Sequence, residues 1–375
     1  MANWKDCKNL LCVRMDNMGD VLMSAPAISS LKDTFHCKIT LLTSSMGAPI
    51  APYISAIDDV IVFDVPWMKN DGVAQEDAFT GIVENLRERN FDGAVIFNVF
   101  SQNPFASILL TWLAKIPRRA AYSRENPYHL LTDWVPDPEP YSMIRHQVKR
   151  DLDLAKAIGA FTYDKTIPLR IQPERWENVQ QKLSNLGLDL NKPWLILHPA
   201  VSESKREFPK ERWIEVGKKI VSDLNHQLII TGSASDQELT TTIANGIGRR
   251  AFAAAGVLTI AEFILLLHQT PLVISVNTVT IHIASATNTK TIVLYALTNP
   301  QHTPWKTIGR IFPYTLQETK RSKNEVLNFV NQKYFTTPFE LPTAAEIVTA
   351  AFELLTDVKP SLIPELVGTR QSIPA

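Results

Sequence analysis

Short apolar runs rich in β-branched residues recur along the chain, and segments with helical spacing separate them. A strand of a parallel sheet reads as such a run, because helices cover both faces of the sheet. The pattern therefore predicts a parallel sheet in the first half of the chain. Its predicted strands are LLCVR from Leu10, KITLLTS from Lys38, DVIVFDV from Asp59 and GAVIFNV from Gly93.

The same alternation restarts after Pro193 and predicts a second α/β unit. Helical stretches such as PKERWIEVGKKIVSDL separate its strands, and PTAAEIVTAAFELL, from Pro342, predicts a final amphipathic helix. The predicted strands of this unit are PWLILHP from Pro193, HQLIITG from His226, PLVISV from Pro271 and KTIVLYA from Lys290.

The segment between the two units predicts a hinge. A helix is expected in HQVKRDLDLAKAIGA from His146, and the prolines and polar residues that follow it indicate a linker near residues 165–190. We therefore predict one domain over residues 1–178 and a second over 179–349. Two doubly wound sheets joined in this way would bind ligands at the carboxyl ends of their strands, in the crevice between the domains.

Composition agrees with two domains and narrows the choice of partner. The chain has 375 residues, a length that exceeds the usual size of one domain, and 45% of the residues are hydrophobic. Lys and Arg total 38, as do Asp and Glu, so no net charge favours nucleic acid or an acidic membrane as the main partner. The longest apolar stretches are too short to cross a bilayer, which leaves surface attachment open.

The cysteines indicate reduced thiols and a cytoplasmic protein. Cys7, Cys12 and Cys37 form no C-x-x-C pair, and no signal peptide precedes them. Because Cys12 lies inside the apolar run LLCVR, we interpret it as a small buried hydrophobe rather than a nucleophile.

Several common active-site motifs are missing from the sequence. It contains no G-x-G-x-x-G, no G-x-x-x-x-G-K-[ST], no H-E-x-x-H and no G-x-S-x-G, which weakens the case for a dehydrogenase, a P-loop kinase, a zincin or a common hydrolase. Asp151 and Asp153 have the spacing of an acidic metal-binding pair. On a helix such side chains diverge, so we interpret them as a solvated face.

Asp20 stands at the junction between the first predicted strand and the helix that follows it, in RMDNMGDVLMSAPAISSLK. In this architecture that junction faces the ligand. Its carboxylate could cap the helix, accepting backbone amides and complementing the helix dipole, or it could act as a base. Spacing alone favours the cap without excluding the base.

The corresponding junction of the second unit is SVNTVTIH, which begins at Ser275. Thr278 or Thr280 could cap a helix here, leaving backbone amides exposed to a diphosphate. His282 falls in the first turn of that helix, where a packed or solvent-linked histidine is commoner than a catalytic one.

Two other loops of the second unit carry candidate charges. Lys205 and Arg206 form either a solvated cluster or a site that neutralises a leaving phosphate. Asp236 and Glu238 follow the strand IITGSA and could bind ribose hydroxyls or complement a helix N-terminus.

Taken together, MDNMGDVLMSAPAISSLK, KREFPKERW, TGSASDQEL and ISVNTVTIHIASATNTKTIVLYALTNPQHTPW resemble glycosyltransferase family 9, the ADP-heptose:lipopolysaccharide heptosyltransferase-like family. The resemblance spans nearly the whole chain in the expected order. It implies the GT-B architecture, in which two Rossmann-like domains face a cleft, the first holding the acceptor and the second the nucleotide sugar. It also implies that residues from about 350 to 375 return to the first domain.

The resemblance implies an inverting, metal-independent enzyme that moves a heptose or related sugar from a nucleotide diphosphate, such as ADP-heptose, to a glycolipid or saccharide hydroxyl. Such an enzyme needs no cofactor and works in the cytoplasm, with possible peripheral contact at the inner membrane. The resemblance implies that Asp20 is the general base. It implies that the diphosphate is bound by the amides around Thr278 and Val279 and by Lys205 or, preferably, Arg206. The ribose would be bound by Asp236 or by the nearby Glu238.

One motif departs from the family pattern. The family commonly reads S-N-D-[TS]-G-P-x-H, whereas this chain has Asn277 for the aspartate, Val279 for the glycine and Thr280 for the proline. Losing the carboxylate removes a charged acceptor for sugar hydroxyls, and valine adds bulk beside the phosphates. A binding protein that has lost turnover is therefore the competing hypothesis, although the retained Asp20 favours an enzyme.

The acceptor is expected on loops of the first domain. NVFSQNPF and YSRENPYH follow strand-like runs and combine aromatic, amide and basic side chains suited to saccharides. Arg124 and His129 are the candidate acceptor-binding residues there.

Overall fold

The computed structural model describes residues 3–68, 76–320, 322–358 and 360–366. These residues form two compact units, the first ending at Arg170 and the second running from Ile171 to Leu366. The division therefore lies at residue 170, where the sequence predicted it at 178.

The first unit is a parallel sheet in the strand order β3-β2-β1-β4-β5-β6. Its buried core joins the apolar strand residues to the inner faces of the helices. The strands are β1 Asn9–Arg14, β2 Lys38–Thr43, β3 Asp59–Val62, β4 Gly93–Ile96, β5 Arg119–Ser123 and β6 Asp133–Pro136. The helices are α1 Met18–Phe35, α2 Glu76–Glu88, α3 Phe105–Leu113 and α4 Gln147–Ala157.

The second unit repeats this topology, with a parallel sheet in the order β12-β11-β10-β7-β8-β9. Its strands are β7 Trp194–His198, β8 Gln227–Ile230, β9 Ala251–Ala253, β10 Val273–Val276, β11 Thr291–Ala296 and β12 Gly309–Tyr314. Its helices are α5 Trp176–Asn185, α6 Lys210–Lys219, α7 Gln237–Ile247, α8 Ile260–Gln269, α9 Val279–Ala286, α10 Glu325–Tyr334 and α11 Ala344–Leu355.

Within each unit the strand order is 3-2-1-4-5-6, the doubly wound order of dinucleotide-binding folds. The chain winds outward in opposite directions from the pair β1 and β4, and again from β7 and β10. Loops at the carboxyl ends of each pair diverge and leave a crevice. The predicted α/β class with two doubly wound parallel sheets is confirmed, and its topology places a candidate site in each unit.

Three parts of the chain differ from the sequence prediction. Strands β5, β6, β9 and β12 were not predicted. Helix α5 occupies part of the expected linker, because Val179 and Leu183, one turn apart, bury an apolar stripe. Helix α11 packs on α6 in the core of the second unit, so residues 350–355 do not return to the first. The expectation for residues 367–375 lies outside the described residues.

The three cysteines are all free and buried, and burial was predicted for Cys12. Burial raises the pKa of the Cys12 thiol, with a smaller contribution from Cys37. In the ranges that the structure describes, we find no helix both long and apolar enough to span a membrane.

Candidate functional site

A cleft of about 500 Å³ opens at the carboxyl ends of β1 and β4. This is the position at which the topology of the first unit predicts a ligand. The lining combines aromatic and aliphatic side chains with a carboxylate and several amides: Met15, Asp16, Trp67, Met68, Ile96, Phe97, Asn98, Ser101, Gln102, Asn103, Pro104, Phe105, Ala106 and Ser107.

Asp20 lies in the first turn of α1, directly after the strand-to-helix junction. The N-cap position belongs to Asn17, so Asp20 is not the N-cap residue, which was the alternative that spacing alone favoured. Instead, the Asp20 carboxylate accepts a hydrogen bond from Arg14 Nη2 at 3.0 Å. The side chain of Arg14 is fully buried, while that of Asp20 is 15% exposed. A buried guanidinium therefore orients a carboxylate that solvent can still reach.

Arg14 also contacts a second carboxylate. Its Nε lies 3.1 Å from Asp16 Oδ2, on the loop between β1 and α1. Burial lowers the pKa of Arg14, but the charges of Asp16, Asp20 and Asp151 outweigh burial and raise it. Sequence reasoning did not single out Arg14 or Asp16, although a charged residue inside the apolar run LLCVR was a visible signal.

Asp151 on α4 is the third carboxylate of this cluster. It is 1% exposed, so the prediction of a solvated face was wrong for this residue. Ser24 Oγ donates to one of its oxygens at 2.7 Å and Gln147 Nε2 to the other at 2.8 Å. Burial raises its pKa to about 6 despite the opposing charge of Arg14. Because Ser24 is one turn after Asp20, this contact ties α4 to the start of α1.

The two acceptor candidates of the first unit lie elsewhere. The exposed Arg124 uses its guanidinium to bind the backbone carbonyls of Phe100 and Glu139. His129 is exposed on a short turn, where its carbonyl accepts a hydrogen bond from Arg119. Neither lines the cleft, so the structure supports a loop-anchoring role for Arg124 and does not bring His129 to the site.

In the second unit, α9 begins at the carboxyl end of β10. Thr278 is its N-cap residue but makes no side-chain capping bond, and its amide donates to the Val276 carbonyl at 2.9 Å. The Thr278 amide is therefore already engaged, contrary to the expectation that it would face a diphosphate. Val279 and Thr280 open the helix, and amides of the first turn have no intrahelical acceptor.

Asn277 holds the ends of β10 and β11 together. Its Nδ2 lies 3.4 Å from the Ala296 carbonyl and 3.3 Å from Thr298 Oγ1, while its Oδ1 accepts from the Ala296 amide at 3.3 Å. The residue is 5% exposed. Its side chain therefore serves the fold in this structure, rather than pointing at a sugar as the resemblance implied.

The predicted cations meet this loop. Arg206 Nη1 donates to the Asn277 carbonyl at 3.3 Å, and Nη2 lies 2.9 Å from Glu203. Lys205 pairs with the same carboxylate at 3.2 Å. The Tyr314 hydroxyl donates to the Arg206 carbonyl at 3.0 Å. Arg206, rather than Lys205, is thus the cation connected to the start of α9.

Asp236 caps its own turn. Its carboxylate accepts hydrogen bonds from the Ser233 amide, at 2.8 Å, and from the Ser233 hydroxyl. Glu238 is exposed in the first turn of α7. Both acids therefore occupy positions that complement a helix N-terminus, and Asp236 has a clear structural role.

Two buried histidines also lie near the carboxyl ends of the strands. His282 is 5% exposed on α9, as a packed histidine would be. Sequence reasoning missed His198, the last residue of β7, whose Nδ1 lies 2.8 Å from Thr231 Oγ1 at the end of β8. Burial lowers the pKa of His198 to about 4, although Asp236 opposes the shift, so His198 is neutral at pH 7.

Within the described part of the chain, no three His, Cys, Asp or Glu side chains lie together in a group that could hold a metal ion. The charges that the site offers to an anion are instead those of Arg206, Lys205 and the α9 N-terminus.

Comparisons with known proteins show which proteins this chain is similar to. Lipopolysaccharide heptosyltransferase 2 of Salmonella typhimurium is 23% identical over 301 residues, covering 76% of this chain and 82% of that protein. The solved ADP-heptose LPS heptosyltransferase II of E. coli superposes with a TM-score of 0.69 at 18% identity, covering 93% and 99% of the two chains. A family 9 glycosyltransferase of Veillonella parvula superposes with a TM-score of 0.73 at 16% identity, covering 94% of this chain and 98% of that one.

These likenesses of structure confirm the GT-B type of fold. The sequence model of glycosyltransferase family 9 (heptosyltransferase) matches residues 80–333, well over half of the chain. With two doubly wound sheets and a candidate site at each switch point, the chain belongs to glycosyltransferase family 9 and is a glycosyltransferase.

Proposed function

We propose that this glycosyltransferase moves a heptose or related sugar from a nucleotide diphosphate, most simply ADP-heptose, to a hydroxyl of a lipopolysaccharide-type glycolipid or another saccharide. The names of its relatives support the sugar, the nucleotide and the acceptor class. The observation that carries the proposal is Asp20, held by the buried Arg14 at the end of β1.

The reaction inverts the anomeric centre in one displacement. The Asp20 carboxylate takes the proton of the acceptor hydroxyl while that oxygen bonds to the anomeric carbon. The bond from this carbon to the phosphate oxygen breaks on the opposite face, and the nucleoside diphosphate leaves with the electron pair. Arg14 keeps the carboxylate in one orientation, which is what a positioned base requires.

The leaving diphosphate is bound in the second unit. Amides at the start of α9, from Val279 and Thr280, point toward the helix N-terminus, where an anion is favoured. Val279 has helical backbone and can donate its amide as a glycine would. Arg206 is fixed beside this turn by the Asn277 carbonyl. These fixed positive groups stabilise the developing charge without a metal ion.

A bound diphosphate would compete with Glu203 for the side chains of Lys205 and Arg206. In the structure Glu203 pairs with both Lys205 and Arg206. A diphosphate carries more negative charge than one carboxylate and would draw the guanidinium away from Glu203. For the ribose we retain Asp236, with Glu238 as the neighbouring choice, at the end of β8.

A glycolipid acceptor places the enzyme at the cytoplasmic face of the inner membrane as a peripheral protein. The proposal requires no cofactor and no nucleic acid, in keeping with a chain that has equal numbers of acidic and basic residues.

The first test is a calorimetric titration with ADP-heptose, ADP, GDP and UDP, with donor turnover followed in the same samples. We expect ADP and ADP-heptose to bind selectively and ADP-heptose to turn over when a saccharide acceptor is present. Selective binding of GDP or UDP would refute the adenine assignment.

Asp20→Asn tests the base. The amide oxygen can still accept from Arg14, so we expect folding and donor affinity to be retained while transfer falls about 10²- to 10⁴-fold. Asp59→Asn is the matched control. Asp59 is also paired with an arginine, Arg89, but stands at the amino end of β3. Equal losses of stability and activity in Asp20→Asn would show a structural role instead.

The competing hypothesis is a nucleotide-sugar or glycan binding protein without turnover. The observation that favours it is Asn277, whose amide is engaged with β11 where the family's aspartate is absent. Tight ADP-heptose binding by the native enzyme, with neither transfer nor hydrolysis in the presence of acceptors, would favour this hypothesis.

A further inference from the structure

Asp16 is a carboxylate on the wall of the cleft in the first unit. Its side chain is only 10% exposed, and two side chains hold it in place. Arg14 Nε lies 3.1 Å from Oδ2, and Gln102 Nε2 donates to Oδ1 at 2.5 Å. An ion pair with Arg14 and a hydrogen bond from Gln102 thus position the carboxylate before any ligand arrives.

The backbone of Asp16 is fixed as well. Ser44 Oγ donates to the Asp16 carbonyl at 2.8 Å. Gly47 packs so closely on the same carbonyl that a Cβ at this position would lie 2.7 Å from its oxygen. Larger residues at 47 would push the loop aside, which indicates that the position of Asp16 is built into the fold.

The Asp16 carboxylate retains capacity for a ligand. Two carboxylate oxygens offer about four lone-pair sites, and Arg14 and Gln102 each approach one oxygen. Burial raises the pKa of Asp16, because the loss of hydration exceeds the opposing effect of Arg14. A hydroxyl donor entering the cleft would replace hydration that the carboxylate has lost.

The rest of the cleft suits a sugar ring. Trp67, Phe97 and Phe105 supply apolar surface, and Asn98 and Gln102 supply amides. Mostly apolar walls with a few fixed polar groups are typical of small-molecule sites. A pyranose ring likewise combines apolar C–H faces with polar hydroxyl groups at its rim.

We propose that Asp16 is a specificity residue of the acceptor site, where its carboxylate accepts a hydrogen bond from a hydroxyl of the acceptor sugar in this cleft. The inference rests on the proposed function for the acceptor class, a polyhydroxylated saccharide. It separates two carboxylates that share Arg14: Asp16 lines the cleft and binds, whereas Asp20 takes the proton.

The test measures acceptor binding directly, by titrating a core oligosaccharide, released from lipopolysaccharide by mild acid, into the native enzyme and its variants. Removing a hydrogen-bond partner that is charged should weaken binding about 10- to 100-fold, so we expect this rise in Kd for Asp16→Asn. ADP affinity should not change. Gln102→Leu leaves the Asp16–Arg14 contact and should raise the saccharide Kd by a smaller factor.

Asp59→Asn is again the matched control, and its saccharide Kd should equal that of the native enzyme. In transfer assays, Asp16→Asn should raise the KM for the acceptor and leave kcat at saturating acceptor within about threefold. An unchanged Kd and KM in Asp16→Asn would overturn the inference, as would a loss of kcat like that of Asp20→Asn. If Asp16→Asn fails to fold, Gln102→Leu takes its place in the test. An unchanged saccharide Kd and acceptor KM in Gln102→Leu would then overturn the inference.

Two further outcomes separate this inference from the proposed function. Saccharide binding that depends on Asp16, without any transfer from ADP-heptose, would refute the proposed reaction and support the acceptor site. Transfer to a saccharide with no detectable effect of either cleft variant would support the reaction and overturn the role of Asp16.

Discussion

The buried Asp151 should make the stability of the first unit depend on pH. Burial raises the pKa of Asp151 from 3.8 to about 6, so the folded state holds its proton more tightly than the unfolded chain. An acid of this kind stabilises the fold below pH 3.8, and the contribution is lost as pH rises through about 6. The full difference is about 3 kcal/mol, since one pKa unit is worth about 1.4 kcal/mol.

Asp151→Asn removes the ionisation with little change in shape. Gln147 can still donate to the amide oxygen. Ser24 already lies 3.1 Å from the Asp20 carbonyl and can donate there while accepting from the new amide. Over the accessible range from pH 4.5 to 8, the variant should gain about 2 kcal/mol of unfolding free energy relative to the native protein. Most of this gain should appear below pH 7.

Urea unfolding of both proteins at several pH values measures this difference. Because only the difference between two nearly identical chains is used, other titrating groups cancel. A difference in unfolding free energy that stays constant from pH 4.5 to 8 would refute the reasoning, and would mean that Arg14 keeps Asp151 ionised in the folded protein.

The remaining predictions concern the second unit and the thiols. Asn277→Asp should lower the unfolding free energy by about 1–3 kcal/mol, because a carboxylate oxygen would face the Ala296 carbonyl. Thermal or urea denaturation at pH 7 measures this loss, and an unchanged stability would contradict the structural role of Asn277. Cys12 and Cys37 should resist a thiol reagent in the native protein and react after unfolding. The reason is that burial raises the pKa of Cys37 to about 11 and raises the pKa of Cys12 further. Rapid labelling of the native protein at pH 7.5 would contradict their burial.

Most interior strands were predictable, whereas the missed strands are β5 and β6 at one side of the first sheet and β9 and β12 at opposite edges of the second. The strands β1, β2, β4, β7, β10 and β11 are almost continuously buried, so they appear as unbroken apolar runs. By contrast β6 is DWVP and β12 is GRIFPY, edge strands that carry charges and a proline. A proline is tolerated where one side of a strand has no partner, so the features that weaken the sequence signal mark an edge.

The site was predictable only where one short segment decides the position. The place of Asp20 followed from the strand-to-helix junction, since the switch point is a property of topology. Its partners Arg14 and Asp151 were not predicted, because Asp151 reaches the cluster from a helix more than a hundred residues away. The DLD pattern on α4 reads as a solvated face in isolation, and only the packing of α1 on α4 reverses that reading.

Of the departures from the family pattern at residues 277–280, the structure explains the asparagine at 277. An aspartate at 277 could not donate to the Ala296 carbonyl and Thr298, whereas asparagine does both and accepts from the Ala296 amide. The backbone carbonyl of Asn277 separately accepts a hydrogen bond from Arg206, which holds a cation beside the first turn of α9. Positive charge near the helix N-terminus is thereby kept although the loop has lost its glycine, which is why we favour a working donor site over a degenerate one.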